Sequence, residues 1–127
     1  MSSAYVDTSV VVAIAFGEPE ARTIGQRLGG FDRLYASNLL EAELLSVCRR
    51  KRRAVPEHLV SRFHWVFPIR RLTPELRAVL GAGYVRGADL WHLACALYVA
   101  PNPAELSFLT RDHRQADVAA ELRFQLD

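Results

Sequence analysis

The stretch that most constrains this chain is Ala4-Tyr5-Val6-Asp7-Thr8-Ser9, followed directly by Val10-Val11-Val12-Ala13-Ile14. A short apolar, β-prone run ends in a carboxylate, and a hydrophobic segment of helical length begins at once. Such a run reads as a parallel strand buried on both faces, because no alternation of polar residues marks a wet side. Asp7 then falls at the strand's carboxyl end, where open α/β sheets place their ligands. Thr8 and Ser9 are hydroxyl residues able to cap the helix that starts there. Asp7 has two readings on its own, a strand-end cap or a functional acid. Other acids downstream bear on the choice.

At 127 residues the chain is expected to be a single domain, residues 1–127. Half of its residues are hydrophobic and 24% are charged, so a core large enough to fold without staples is available. Cys48 and Cys95 sit in apolar helical contexts without metal-ligand spacing, which points to packed thiols in a reducing compartment. The run Val10–Phe16 lacks a basic leader and is too short for a signal, and nothing approaches the roughly 20 apolar residues that span a bilayer. The expectation is a cytoplasmic protein with no membrane role.

A net charge of +2 does not announce a nucleic-acid binder, but the distribution is more telling. Of the sixteen basic residues only Lys51 is a lysine, and it lies inside Arg49-Arg50-Lys51-Arg52-Arg53. Arginine's planar fork suits phosphate. Cations also suit the negative end of a helix dipole, and a solvated helix end is the competing reading. Five in a row exceed what capping needs, which favours phosphate.

Strand and helix signals alternate along the rest of the chain. Val10–Phe16 reads as a helix broken by Gly17-Glu18-Pro19, and Glu20–Leu28 as a second, ended by Gly29-Gly30. Leu34-Tyr35-Ala36 reads as a strand, with Ser37 and Asn38 capping a long helix from Leu39 to about Arg53. Pro56 opens a helix expected to reach about Phe67, with Leu59, Phe63 and Val66 on one side. Ile69–Leu72 is a candidate third strand. Thr73-Pro74-Glu75 starts a helix to about Leu80, with Thr73 as its cap. Asp89 to about Ala100 is the next helix, Leu106–Thr110 a buried strand, and Asp112 opens a last helix to about Leu122. This alternation argues an α/β fold with a parallel sheet.

Four acids occupy apolar settings. Asp7 ends the first strand. Glu43 lies in Leu39-Leu40-Glu41-Ala42-Glu43-Leu44-Leu45, a segment apolar nearly all round, where periodicity alone does not separate it from Glu41. Asp89 shares a stripe with Leu93, Ala96 and Leu97. Asp112 follows Thr110 at the end of a core strand. Asp89 and Asp112 could each be helix caps instead. Carboxylates are seldom buried unless paired or bound to metal, and oxygen-only ligands select hard ions such as Mg²⁺ or Mn²⁺.

Tyr5-Val6-Asp7-Thr8-Ser9, Ser37 to Glu43-Leu44, Ala88-Asp89-Leu90-Trp91-His92-Leu93-Ala94 and Leu109-Thr110-Arg111-Asp112, in that order, resemble a PIN domain over essentially the whole chain. Within that family they most resemble the VapC-type toxins of bacterial toxin–antitoxin pairs. The resemblance implies a three-layer α/β/α domain with a parallel sheet of four or five strands. It also implies a metal-dependent endoribonuclease whose quartet is Asp7, Glu43, Asp89 and Asp112, with Ser9 orienting Asp7 and Thr110 as an added polar residue. The family pattern selects Glu43 over Glu41, and Asp117 competes for the fourth place through water. One or two Mg²⁺ or Mn²⁺ ions would serve hydrolysis of RNA to a 5′-phosphate and a 3′-hydroxyl. Arg49–Arg53 would hold the RNA backbone, a cognate VapB-type antitoxin would inhibit, and homodimerisation is common in the family.

Leu40 and Trp91 depart from the pattern of many relatives, at a commonly hydroxyl and a commonly small position. Neither removes a proposed ligand, and Trp91 is expected to pack in the core. His92 is read as a structural, hydrogen-bonded histidine rather than a ligand, and His113 as a possible substrate contact. Neutral substitutions such as Asp7→Asn or Asp89→Asn are expected to abolish cleavage and leave the fold intact or more stable, because they relieve like-charge strain. A phosphoacceptor receiver domain, a catalytically silent PIN-like scaffold and a PIN nuclease of RNA processing are the rival readings. The first needs a late lysine that this chain lacks.

Overall fold

A computed structural model describes residues 2–126 of the chain. Strand β1 (Ser3–Val6) lies inside a four-stranded sheet with β2 (Arg33–Ser37), β3 (Phe63–Val66) and β4 (Ser107–Leu109), in the order β3-β2-β1-β4. Every pairing is parallel. The helices are α1 (Thr8–Ala15), α2 (Ala21–Gly29), α3 (Asn38–Lys51), α4 (Glu57–Val60), α5 (Thr73–Ala82), α6 (Gly87–Val99) and α7 (His113–Glu121), with a short 3₁₀ turn at Pro103–Glu105.

The period-2 rule for strands divides the core in two. Ala4 and Val6 of β1, with Leu34 and Ala36 of β2, pack on one side with Val10, Val11, Leu28, Leu40, Leu44 and Cys48 of α1, α2 and α3. Tyr5 and Phe108 point the other way, onto Val79, Leu93, Cys95 and Val118 of α5, α6 and α7. Helices thus cover both faces of a parallel sheet, giving the three-layer α/β/α arrangement that the resemblance implies. Among the described residues no helix is long and apolar enough to cross a membrane.

Several local expectations are corrected. The segment read as one helix from Pro56 to Phe67 is a single turn, α4, followed by β3. Phe63 and Val66 are buried and His64 exposed, and parallel pairing with Leu34 to Ser37 holds the segment extended. Ile69–Leu72 is not a strand, and Ile69 is 91% exposed. Leu72, not Thr73, is the N-cap residue of α5. The cap of α1 is Asp7 itself, accepting from the Ser9 N–H, rather than Thr8 or Ser9. Helix α3, though apolar nearly all round near Glu43, is not buried all round, for Leu45 is 48% exposed, and α6 begins two residues before Asp89, at Gly87.

Candidate active site

Parallel strands bring their carboxyl ends to one edge. Val6 pairs with Leu109 across β1 and β4, and the Asp7 N–H bonds the Leu109 carbonyl at 2.9 Å, so Asp7 and Thr110 leave the sheet side by side. Asp7 is 4% exposed and is held by donors on both oxygens. Its Oδ2 accepts from the Ser9 N–H at 3.1 Å and the Ser9 hydroxyl at 2.6 Å, and lies 3.4 Å from the Thr110 hydroxyl oxygen, whose one proton goes to Gln115. Its Oδ1 accepts from the Gln115 side-chain amide at 3.2 Å.

Gln115 was not singled out in the sequence, yet it is fully buried at the middle of this arrangement. Its Oε1 accepts from Thr110 at 2.6 Å, and its Nε2 also reaches the Asp89 carbonyl oxygen at 3.5 Å. Its backbone N–H donates to Asp112 Oδ1 at 2.8 Å, so Asp112 caps α7. The sequence did carry a signal: Asp112-His113-Arg114-Gln115 has the spacing of a capping box. The backbone half of that box forms, whereas the glutamine side chain turns inward to Asp7.

Glu43 projects from α3 with its side chain 34% exposed. Its Oε1 accepts from Thr8 at 2.7 Å and is 3.0 Å from His92 Nε2. His92 is 1% exposed, and its Nδ1 lies 3.0 Å from the Tyr5 hydroxyl and 3.3 Å from that of Ser37. A neutral ring with the proton on Nε2 donates to Glu43 and offers the one lone pair of Nδ1 to the nearer hydroxyl, that of Tyr5; the tautomer is assigned from this network. The histidine hydrogen bond, with that of Thr8, holds the Glu43 carboxyl below its usual range against the opposing effect of burial. Burial pushes the Tyr5 hydroxyl well above its ordinary value, keeping it a neutral donor.

Asp89 ties the acids together. Its carboxyl is raised by burial first, then by the negative charges of Asp7 and Asp112, with Glu43 adding less. The four acids therefore share one electrostatic neighbourhood. Among the described residues no Lys or Arg forms an ion pair with any of them; Arg111, next to Asp112 in the chain, turns to Glu18 and Glu20.

Four carboxylates without a matching protein cation, all oxygen donors, suit a hard divalent ion by donor type. Among the described residues, however, no three His, Cys, Asp or Glu side chains are gathered closely enough to hold one. Ser9, Gln115, Thr8 and His92 instead occupy carboxylate lone pairs. Asp117, the water-mediated candidate, is exposed and lines a cleft with Tyr84 and Glu121; its charge is not among those acting on Asp89. His113 is exposed, and Trp91 packs against the α5–α6 side of the core. The run Arg49, Arg50, Lys51, Arg52 and Arg53 is exposed at the far end of α3, away from the acids.

Neither a curated protein nor a solved structure matches the chain significantly. A family model described as PIN domain matches residues 4–121, a span that holds all four acids, Thr110 and all of the four strands but Ser3. PIN domains are generally nucleases, hydrolases acting on nucleic acid. With the match over nearly the full length and the three-layer fold agreeing, this chain belongs to the PIN-domain family.

Proposed function

We propose that the protein is a metal-dependent endoribonuclease acting as a VapC-type toxin, inhibited by a cognate VapB-type antitoxin. The observation that carries the catalytic half is that shared donors join the acids: Gln115 bonds Asp7, Asp112 and the Asp89 carbonyl, and His92 Nε2 lies 3.0 Å from Glu43 and 3.9 Å from Asp7. Like-charged groups are placed together in an enzyme when a substrate or cation is to be held between them.

Asp7, Glu43, Asp89 and Asp112 would hold Mg²⁺ or Mn²⁺. When bound, such an ion supplies the positive charge that makes water a nucleophile near neutral pH and stabilises a leaving oxygen. The chain's own residues perform the positioning. Ser9 and Gln115 fix the two oxygens of Asp7, Thr110 donates to Gln115 and so orients its amide, and Thr8 with His92 fixes Glu43. Attack in line with the scissile bond would leave a 5′-phosphate and a 3′-hydroxyl, and the ribose 2′-hydroxyl need take no part. The antitoxin and a homodimer rest on the family resemblance, and a cytoplasmic site of action on the sequence reading of cysteines and apolar runs.

Incubation of the purified chain with total RNA and Mg²⁺ or Mn²⁺ tests this reading, with EDTA and Asp89→Asn as controls and end mapping of the products. Discrete cuts bearing 5′-phosphates that vanish in both controls are expected. Intact RNA from a preparation that binds Mn²⁺ would leave the silent scaffold as the better reading, and cuts that survive Asp89→Asn would place the chemistry elsewhere.

A further inference from the structure

The last turn of α3 and the residues after it present an exposed cationic surface along a cleft of about 650 Å³, lined by Cys48, Arg49, Arg50, Arg52 and Arg53. Among the described residues none of the five cations from Arg49 to Arg53 forms an ion pair with an acid. The helix dipole accounts for Arg49, Arg50 and Lys51 in the last turn but does not call for two more beyond it. Arg53 is pinned, with its guanidinium 5.6 Å from the centre of the Phe16 ring.

Arg52 is the informative residue. It ends α3 in the left-handed region, φ 53° and ψ 46°, where the absence of a Cβ makes glycine the favoured residue. Its N–H bonds the Arg49 carbonyl at 3.3 Å, and the Arg53 N–H bonds that of Cys48 at 2.9 Å, closing the turn as glycine would. An arginine here strains the backbone and adds like charge to an already cationic end. Neither effect serves the fold. Arg50 lies seven residues after Glu43, on the same stripe of α3 and about 10 Å along its axis. The surface therefore cannot reach a phosphate held at the acids, but it can reach one further along the same strand.

We propose that the Arg49–Arg53 end of α3, with Arg52 at its centre, anchors an RNA phosphate several nucleotides from the cut and so sets a minimum substrate length. The cut itself rests on the nuclease reading; the anchoring does not. Arg123 provides an internal control, for it adopts the same left-handed conformation, φ 77°, past the end of α7, but stands alone between Leu122 and Phe124.

Fluorescence anisotropy in EDTA would compare wild type, Arg52→Gly and Arg123→Gly on an RNA of about 20 nucleotides and on a trinucleotide. Both glycine variants should melt about 2–4 °C higher. Only Arg52→Gly should bind the long RNA less well, by about 5- to 10-fold at low salt, with the slope of log affinity against log salt reduced by about 0.7. Trinucleotide binding should not change. Equal affinity of all three proteins for the long RNA would overturn the proposal and leave a solvated helix end, as would an equal loss for the trinucleotide. Binding of polyglutamate in place of RNA would overturn it in favour of an acidic protein partner. Absence of Mg²⁺-dependent cutting with the anisotropy pattern intact would sink the nuclease reading and leave the anchor standing.

Discussion

The two ends of α3 handle like charge in opposite ways. Near its start Glu43 joins buried Asp7, half-buried Asp89 and exposed Asp112, where neutral donors satisfy three of the four and Asp89 carries the repulsion. At its finish five cations stand in water, where solvent and salt screen them. Repulsion in the first case is stored in side-chain protonation and hydrogen bonding. In the second it is largely dissipated, and the visible cost is backbone strain at Arg52. The acidic end should therefore respond sharply to single substitutions and to pH, and the basic end chiefly to salt.

The largest effect should be on activity. Asp89→Asn and Asp7→Asn should each lower RNA cleavage with Mg²⁺ by at least about a hundredfold, measured by single-turnover assay, since each removes charge from the centre. Retention of most activity in either would break the idea that the acids act as one unit. The next effect is on stability. Gln115→Ala should cost about 1–3 kcal/mol in urea unfolding, because buried Asp7 and Thr110 both lose a partner. Asp7→Asn should cost less, but should not stabilise as relief of like charge alone implies, because donors hold both oxygens of Asp7; a flipped Gln115 amide can accept from the new NH₂ while the asparagine oxygen stays with Ser9.

Smaller shifts, under about 1 kcal/mol because both groups are partly exposed, should separate Asp89 from Glu43 by sign. The folded Asp89 carboxyl is raised above 3.8, so its ionisation disfavours the fold as pH rises through and above that value. Asp89→Asn should thus stabilise the metal-free protein at pH 7, with the gain fading as the medium is acidified toward 3.8. The folded Glu43 carboxyl is lowered below 4.5, so its contribution is present above that value and lost as pH falls through the folded pKa. Glu43→Gln should destabilise at pH 7 and lose that penalty in acid; urea midpoints for both variants against pH would check the pair. The smallest effect belongs to the basic end. Arg50→Gln should leave stability within about 0.5 kcal/mol while weakening RNA binding in a salt-dependent way.

Much of the fold was legible because its signals are local. Val6-Asp7-Thr8 and Leu109 to Asp112 announce strand ends followed by helix starts, and a carboxylate at such a junction caps a helix whatever else it does. The stretch from Pro56 to Phe67 was misread because Leu59, Phe63 and Val66 fit a helical stripe as well as they fit a turn and a strand. Short apolar runs leave that choice open until a partner strand is known, and here β2 decides it. Gln115 escaped notice for a related reason. A neutral amide one turn into a helix looks like surface, and only the adjacency of β1 and β4 puts Asp7 within its reach.

By itself the sequence determined the strand–acid–helix junctions, the parallel α/β class and the residues able to carry negative charge, because each follows from backbone geometry and hydrophobic period within a few residues. Only the tertiary structure decided which donors hold those charges: Gln115 and Ser9 on Asp7, His92 and Thr8 on Glu43, none on the Asp89 carboxylate among the described residues. The physical reason is that hydrogen bonds act over about 3 Å, and residues distant in the chain come that close only when the parallel strands bring their carboxyl ends to one edge.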